Sequence, residues 1–140
     1  MGRYKKKSIK KKPLFLLKDR ISKSRLAVKK IKKIKVLYLD KKIKSSRTVS
    51  VIDYFVNLNR QNNLYLILGA DSLINFHKWT KWKKIVKMVK LVVFSRRGYA
   101  KKSKKSIVVK YLNKKNIIFI NNKDINISSS AVKKKLIKKT

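Results

Sequence analysis

The sequence predicts an α/β fold with a mostly parallel sheet flanked by helices, and three observations carry that reading. Residues 64–68 form a continuous apolar run that ends in Gly69-Ala70-Asp71. Residues 79–89 carry an amphipathic helical pattern. Residues 91–94 form a second apolar run, closed by Arg96-Arg97-Gly98-Tyr99. Short apolar runs separated by helical patterns are expected of strands that pair in parallel and are joined by helical crossovers. Open α/β sheets bind their ligands where the strands end, and polar and aromatic residues gather here at those points.

In chain order, residues 1–12 read as a basic, disordered lead-in and residues 13–140 as one α/β domain. Ile21, Leu26, Val28, Ile31 and Ile34 follow a helical period. Residues 35–40, KVLYLD, are rich in strand formers and predict a short strand, and 41–47 a polar loop. Val49, Ile52, Phe55 and Val56 define the apolar face of a helix over 49–57, with Ser46 or Thr48 as N-cap. A turn-rich break over 57–63 precedes the first buried strand. In the amphipathic helix over 79–89, Trp79, Trp82, Ile85, Val86 and Val89 share one face and lysines occupy the other. Residues 99–105 read as a cationic loop, 106–112 as a strand or the start of a helix, and 117–120 as a strand. Ser128 to Ser130 then open a final helix in which Val132 and Leu136 stack at i, i+4.

Charge points in another direction. Lys and Arg total 42 against 5 acids, a formal net charge of +37 on 140 residues, and every acid is Asp. Such a chain attracts polyanions whatever else it does, because lysines neutralise phosphates and release counterions. A dedicated nucleic-acid binder concentrates charge on one face or in a tail. Here lysines run from residue 5 to residue 139, and only the block over 5–12 resembles an arm. That spread favours compositional drift. Hydrophobic residues make up 44% of the chain, enough for a core. The absence of Cys excludes disulfides and thiol catalysis. No apolar run reaches the ~18–20 residues that span a bilayer, and a cytoplasmic protein is the expected class.

Several residues could carry chemistry. Gly69 permits close backbone approach at a strand end, and Asp71 could accept from ribose hydroxyls or cap a helix. Trp79, eight residues further on, could stack on a planar ring or pack in the core, whereas Trp82 reads as core. His77, the only histidine, lies between Phe76 and Lys78 and reads as structural. With no second histidine and no acid pair, hydrolytic, metal-based and triad mechanisms lack support. The serines at 128–130, followed by Lys133, are a helix cap or an anion site reinforced by a cation one turn on.

In order, these pieces resemble nicotinate-nucleotide adenylyltransferase, the enzyme family that joins nicotinate mononucleotide to the AMP of ATP in NAD synthesis. The resemblance runs from about Pro13 to the C-terminus. Pro13-Leu14-Phe15 and Arg25-Leu26 look like the family's loop and following helix. Ser46-Arg47-Thr48-Val49-Ser50 is similar to its Ser-Tyr-Thr-x-Asp. Gly69-Ala70-Asp71-Ser72-Leu73 with Trp79 and Trp82 matches its central motif. Arg96-Arg97-Gly98-Tyr99 looks like its Arg-Pro-Gly-Tyr, and the segment from Ile127 to Lys133 like its closing Ile-Ser-Ser-Thr-x-Ile-Arg.

The resemblance implies a Rossmann-like domain and a set of roles. Thr48 and nearby backbone would hold the nicotinate carboxylate, and Trp79 would stack on the pyridine. Gly69 and Asp71 would lie against the mononucleotide, with Arg96 near the nucleotide. Ser129, Ser130 and Lys133 would contact ATP phosphates, and Mg²⁺ would assist. No catalytic side chain and no protein metal ligand is assigned. The family also opens with a first βα unit leading into His-x-Gly-His, which the 140 residues do not contain. Arg47, Ser50, Arg97 and Lys133 depart from its Tyr, Asp, Pro and Arg. The domain over 13–140 is therefore expected to be an incomplete, N-terminally truncated member, missing the first βα unit and active only if that segment is supplied. The alternatives are a basic nucleic-acid-binding protein and a cationic protein acting at anionic membranes.

One consequence needs no structure. With so few acids the lysines repel one another, so the fold should be least stable at low ionic strength. Sulfate, phosphate or ATP is expected to raise the melting temperature. A melting temperature that stays flat from low to moderate salt would contradict this.

Overall fold

The computed structural model describes residues 15–58 and 63–123. The chain divides into two compact units, Met1–Lys42 and Ile43–Thr140. In the first, α1 (Leu17–Ala27) has Asp19 in its first turn and Arg25 in its last, each favourable to the helix dipole. No residue of α1 is buried. The helix stops before the predicted end at 34, and from Val28 to Ile34 the backbone closes turns, with Ile31 donating to Val28 and Ile34 to Ile31. Two lysine pairs, Lys29-Lys30 and Lys32-Lys33, interrupt the apolar face there, leaving Ile31 and Ile34 exposed.

The strand expected over residues 35–40 does not form. Leu37 and Tyr38 are exposed, and the segment has no ladder partner among the described residues. Strand propensity describes a side chain's fit to a pleated, half-buried surface, and no such surface is offered. A single turn, α2 (Asp40–Ile43), follows.

In the second unit the order is α3 (Thr48–Leu58), β1 (Tyr65–Gly69), α4 (Ala70–Asn75), a 3₁₀ turn (Phe76–Lys78), α5 (Trp82–Met88), β2 (Lys90–Phe94), α6 (Ala100–Lys104), α7 (Ile107–Leu112) and β3 (Ile117–Ile120). The strands form one parallel sheet in the order β1-β2-β3. Leu66 pairs with Leu91 and Leu68 with Val93, while Leu91 also pairs with Ile117 and Val93 with Phe119. These six side chains share one face, because alternate residues of a strand point the same way. They meet Leu73 and Phe76 from the first crossover, Ile85 and Val86 from α5, and Val108 and Val109 from α7. Leu73, Phe76, Ile85, Leu91, Val93 and Val108 are wholly buried.

The opposite face of the sheet differs from expectation. Apolar runs suggested strands covered on both sides, yet Tyr65, Ile67, Phe94, Ile118 and Ile120 are exposed. Within the second unit the buried core lies on the face that carries Leu66, Leu68, Leu91 and Val93.

Residues 99–105, expected to be a loop, instead contain α6. Its lysines point outward, while Ser103 is buried and its Oγ donates to the Ala100 carbonyl at 2.8 Å. The region over 106–112 resolves as helix, with Ser106 in extended backbone conformation at the N-cap of α7. Asn113, at φ 46°, ends α7 in the left-handed conformation that glycine usually supplies at such ends.

Leu91 is wholly buried in the central strand, between Leu66 of β1 and Ile117 of β3. Leu91→Ala is expected to cost about 2–5 kcal/mol of unfolding free energy, as read from chemical denaturation curves with an unchanged slope.

Candidate functional site

Two groups of residues form at identifiable places in the second unit. The first lies where the parallel strands end. Gly69 closes β1 and stands at the N-cap of α4, so Asp71 falls in that helix's first turn. The Asp71 carboxylate does not cap the helix. Its Oδ2 accepts from Arg96 Nη1 at 2.6 Å, and Arg96 lies two residues beyond the end of β2. A Cβ at Gly69 would lie 2.6 Å from Asp71 Oδ1, so the carboxylate occupies the space that the missing side chain leaves. Arg96 is aimed by the turn that follows it. The Tyr99 N–H donates to the Arg96 carbonyl at 2.9 Å, and Gly98 takes φ +78°. A positive φ at the third residue of a four-residue turn is the requirement of type II, which favours glycine.

Beside this pair is a small hollow of ≈170 Å³ lined by Ala70, Ser95, Ala100, Ser103, Phe119 and Asn121. Ser95 Oγ donates to Asn122 Oδ1 at 3.2 Å and accepts from the Asn122 N–H at 3.4 Å, tying together the segments that follow β2 and β3.

The second group is a cleft of ≈250 Å³ lined by Ser46, Arg47, Thr48, Lys78, Trp79 and, at its base, buried Ile85. Trp79 is half-buried. One face of the indole lies on the Phe76 ring, with centroids 4.7 Å apart and planes at 31°, and Phe76 itself has no exposure. Thr48 arrives at the start of α3. The carbonyl that accepts the first turn's N–H groups, from Ser50 and Val51, belongs to Arg47, so Arg47 rather than Ser46 or Thr48 holds the cap position. Ser45 Oγ accepts from the Arg47 N–H at 3.2 Å. Lys84 of α5 bonds Asp53 of α3 at 2.7–2.8 Å, bridging the helices that present Thr48 and follow Trp79. Both partners are well exposed, so this bridge is worth at most about 1 kcal/mol.

A family model described as cytidylyltransferase-like matches residues 2–135. The chain belongs to the cytidylyltransferase-like family. Among its relatives is a probable nicotinate-nucleotide adenylyltransferase of Pelagibacter ubique, 45% identical over 118 residues, which are 84% of this chain and 65% of that protein. A protein of the same name from Clostridium tetani is 34% identical over 72% of this chain and 52% of its own length. Another, from Endomicrobium trichonymphae, is 29% identical over 84% of this chain and 59% of its own length. The chain thus spans between about half and two thirds of these relatives.

Within this cytidylyltransferase-like chain the residues singled out from sequence fall into two sets. Gly69, Asp71 and Arg96 come together at the sheet edge, and Thr48 and Trp79 face one cleft. The cleft and the hollow share no lining residue. Ser129, Ser130 and Lys133 lie outside the described residues. Trp82 packs edge-on against Tyr111 at 5.1 Å and is partly buried against the core, as its spacing implied. His77 is structural, its Nδ1–H donating to the Ile74 carbonyl at 3.1 Å. Sequence reasoning missed Ser95, Asn121 and Asn122, whose only signal was their place just after a strand. It noted Arg47 only as a departure from the family's Tyr and passed over Lys78 as a general basic residue.

Gly69→Ala is expected to displace the Asp71 carboxylate from Arg96 while costing no more than about 1 kcal/mol, because the pair is a third to half exposed. In the Gly69→Ala background, Asp71→Asn should then cost almost nothing further. A double-mutant cycle by denaturation measures this, and fully additive losses would show that Gly69 does not act through the carboxylate.

Proposed function

We propose that the chain binds nicotinate mononucleotide and ATP as a nicotinate-nucleotide adenylyltransferase of NAD synthesis. The observation that carries the reading is the cleft lined by Thr48 and by Trp79, a half-buried indole that packs on Phe76. The names of the relatives support the same substrates. In this reading Trp79 stacks on the pyridine, and Thr48 with the first turn of α3 meets the ring's carboxylate. Gly69 and Asp71 lie against the mononucleotide, and Arg96 stands near the nucleotide phosphates. Ser129, Ser130 and Lys133 are proposed for the ATP phosphates.

The reaction needs no side-chain nucleophile. A phosphate oxygen of the mononucleotide bonds to the α-phosphorus of ATP as the bond to diphosphate breaks, and the protein contributes alignment and positive charge. A divalent cation accompanies nucleotidyl transfer, and Mg²⁺ is proposed for this role. Among the described residues no group of three or more His, Cys, Asp or Glu could hold it, and Asp71 is already engaged by Arg96. The described residues thus offer no cage for the ion, and Mg²⁺ would be carried mainly by the ATP phosphates, as that ion commonly is. The chain's single histidine points at a backbone carbonyl. With one histidine, these 140 residues do not themselves supply an imidazole pair at the transferring phosphoryl group, and what is proposed of them is binding.

The charge of +37 also brings non-specific attraction to nucleic acids, which should fade steeply with salt. Among the described residues no helix is long and apolar enough to cross a membrane.

Calorimetric titration with nicotinate mononucleotide tests the reading. Trp79→Ala is expected to weaken binding by roughly five- to a hundredfold, in line with the worth of an aromatic stack. No heat at millimolar ligand from the folded chain would refute it.

A further inference from the structure

We propose that Arg47 makes the Trp79 cleft select a ring bearing a carboxylate over one bearing a carboxamide. The inference rests on the cleft being the pyridine pocket and names what that pocket distinguishes. An indole stack reads the ring and is nearly blind to its substituent. The Thr48 hydroxyl donates or accepts with equal ease, so it serves an acid or an amide. The N–H groups of the first turn of α3 would bond the oxygen of either. The first turn's N–H groups favour an anion to a degree, and a fixed positive charge without acceptor capacity separates the two further; the cleft offers two such groups, Arg47 and Lys78.

Neither is in a salt bridge among the described residues, where Asp53 pairs with Lys84 and Asp71 with Arg96. Arg47 is the better placed of the two. Its carbonyl is fixed by the Ser50 and Val51 N–H groups, and its own N–H is held by Ser45 Oγ. The side chain therefore springs from an anchored backbone beside Thr48. Its planar fork matches a carboxylate with two parallel bonds, while a carboxamide would turn an N–H group towards its donors. Lys78 ends a 3₁₀ turn on a flexible, exposed stem and adds charge without that geometry.

The experiment titrates the full chain by calorimetry with nicotinate mononucleotide and, separately, nicotinamide mononucleotide. The two ligands carry the same phosphate, so general charge attraction cancels in their ratio. The wild type should prefer the acid, and Arg47→Gln should reduce acid affinity on the order of fivefold, the scale of an exposed charge-assisted pair, while leaving the amide within about twofold. Arg47→Lys should restore part of the preference. Melting temperatures check that the variants fold. Equal losses on both ligands would place Arg47 on the phosphate and overturn the assignment, as would an unchanged preference in Arg47→Gln. If the wild type binds neither ligand, the pyridine-pocket reading itself falls and this inference falls with it.

Discussion

The rest of the second unit depends on the register of three parallel strands. With Leu66 opposite Leu91, and Leu91 opposite Ile117, one face of the sheet becomes a continuous apolar floor. A slip of one residue would turn Lys90, Val92 and Phe94 inward and bring the buried set to solvent. The same register fixes where the strands end. Gly69, Phe94 and Ile120 finish level with one another, so Asp71 and Ser95 leave the sheet at the same height and Arg96 can reach across. Chemistry at the edge is a by-product of packing in the middle.

The cleft depends on a different support. Phe76 is wholly buried in the first crossover and serves as a platform for Trp79, while Ile85 anchors the base from α5. The indole is therefore held by the core through Phe76 while it also lines the cleft. Of the two readings of Trp79 that competed in the sequence, packing against the core is the one seen in its contact with Phe76, and ring stacking belongs to the proposed function.

Much of this was legible in the residue pattern. The runs at β1, β2 and β3 declared themselves because parallel strands need uninterrupted apolar side chains, and α3 because its apolar positions kept a helical period. The errors share a cause. Residues 35–40 and the latter part of the predicted first helix carry apolar residues that remain exposed, Ile31, Ile34, Leu37 and Tyr38 among them, and propensity without packing does not hold an element. In α6 the lysines hid a helix whose only buried side chain is a serine bonded to its own backbone. At the site, Gly69, Asp71 and Trp79 stood out because glycine, acid and indole are scarce here. Lys78 did not, and Arg47 was noted only as a departure from a family pattern, because a cation carries little information in a chain with 42 of them. Their distinction comes from position, which only coordinates provide.

The bare side of the sheet has a colloidal consequence. Tyr65, Ile67, Phe94, Ile118 and Ile120 form an apolar strip, and β1 has a ladder partner on one side only among the described residues. Such an edge invites a neighbouring molecule to continue the ladder. What holds neighbours apart is the surplus of cations, whose repulsion reaches only about 8–10 Å at physiological ionic strength. Dissolved ions thus pull in two directions, calming strain inside each molecule while letting separate molecules approach. Handling of the protein is confined to the interval between those effects.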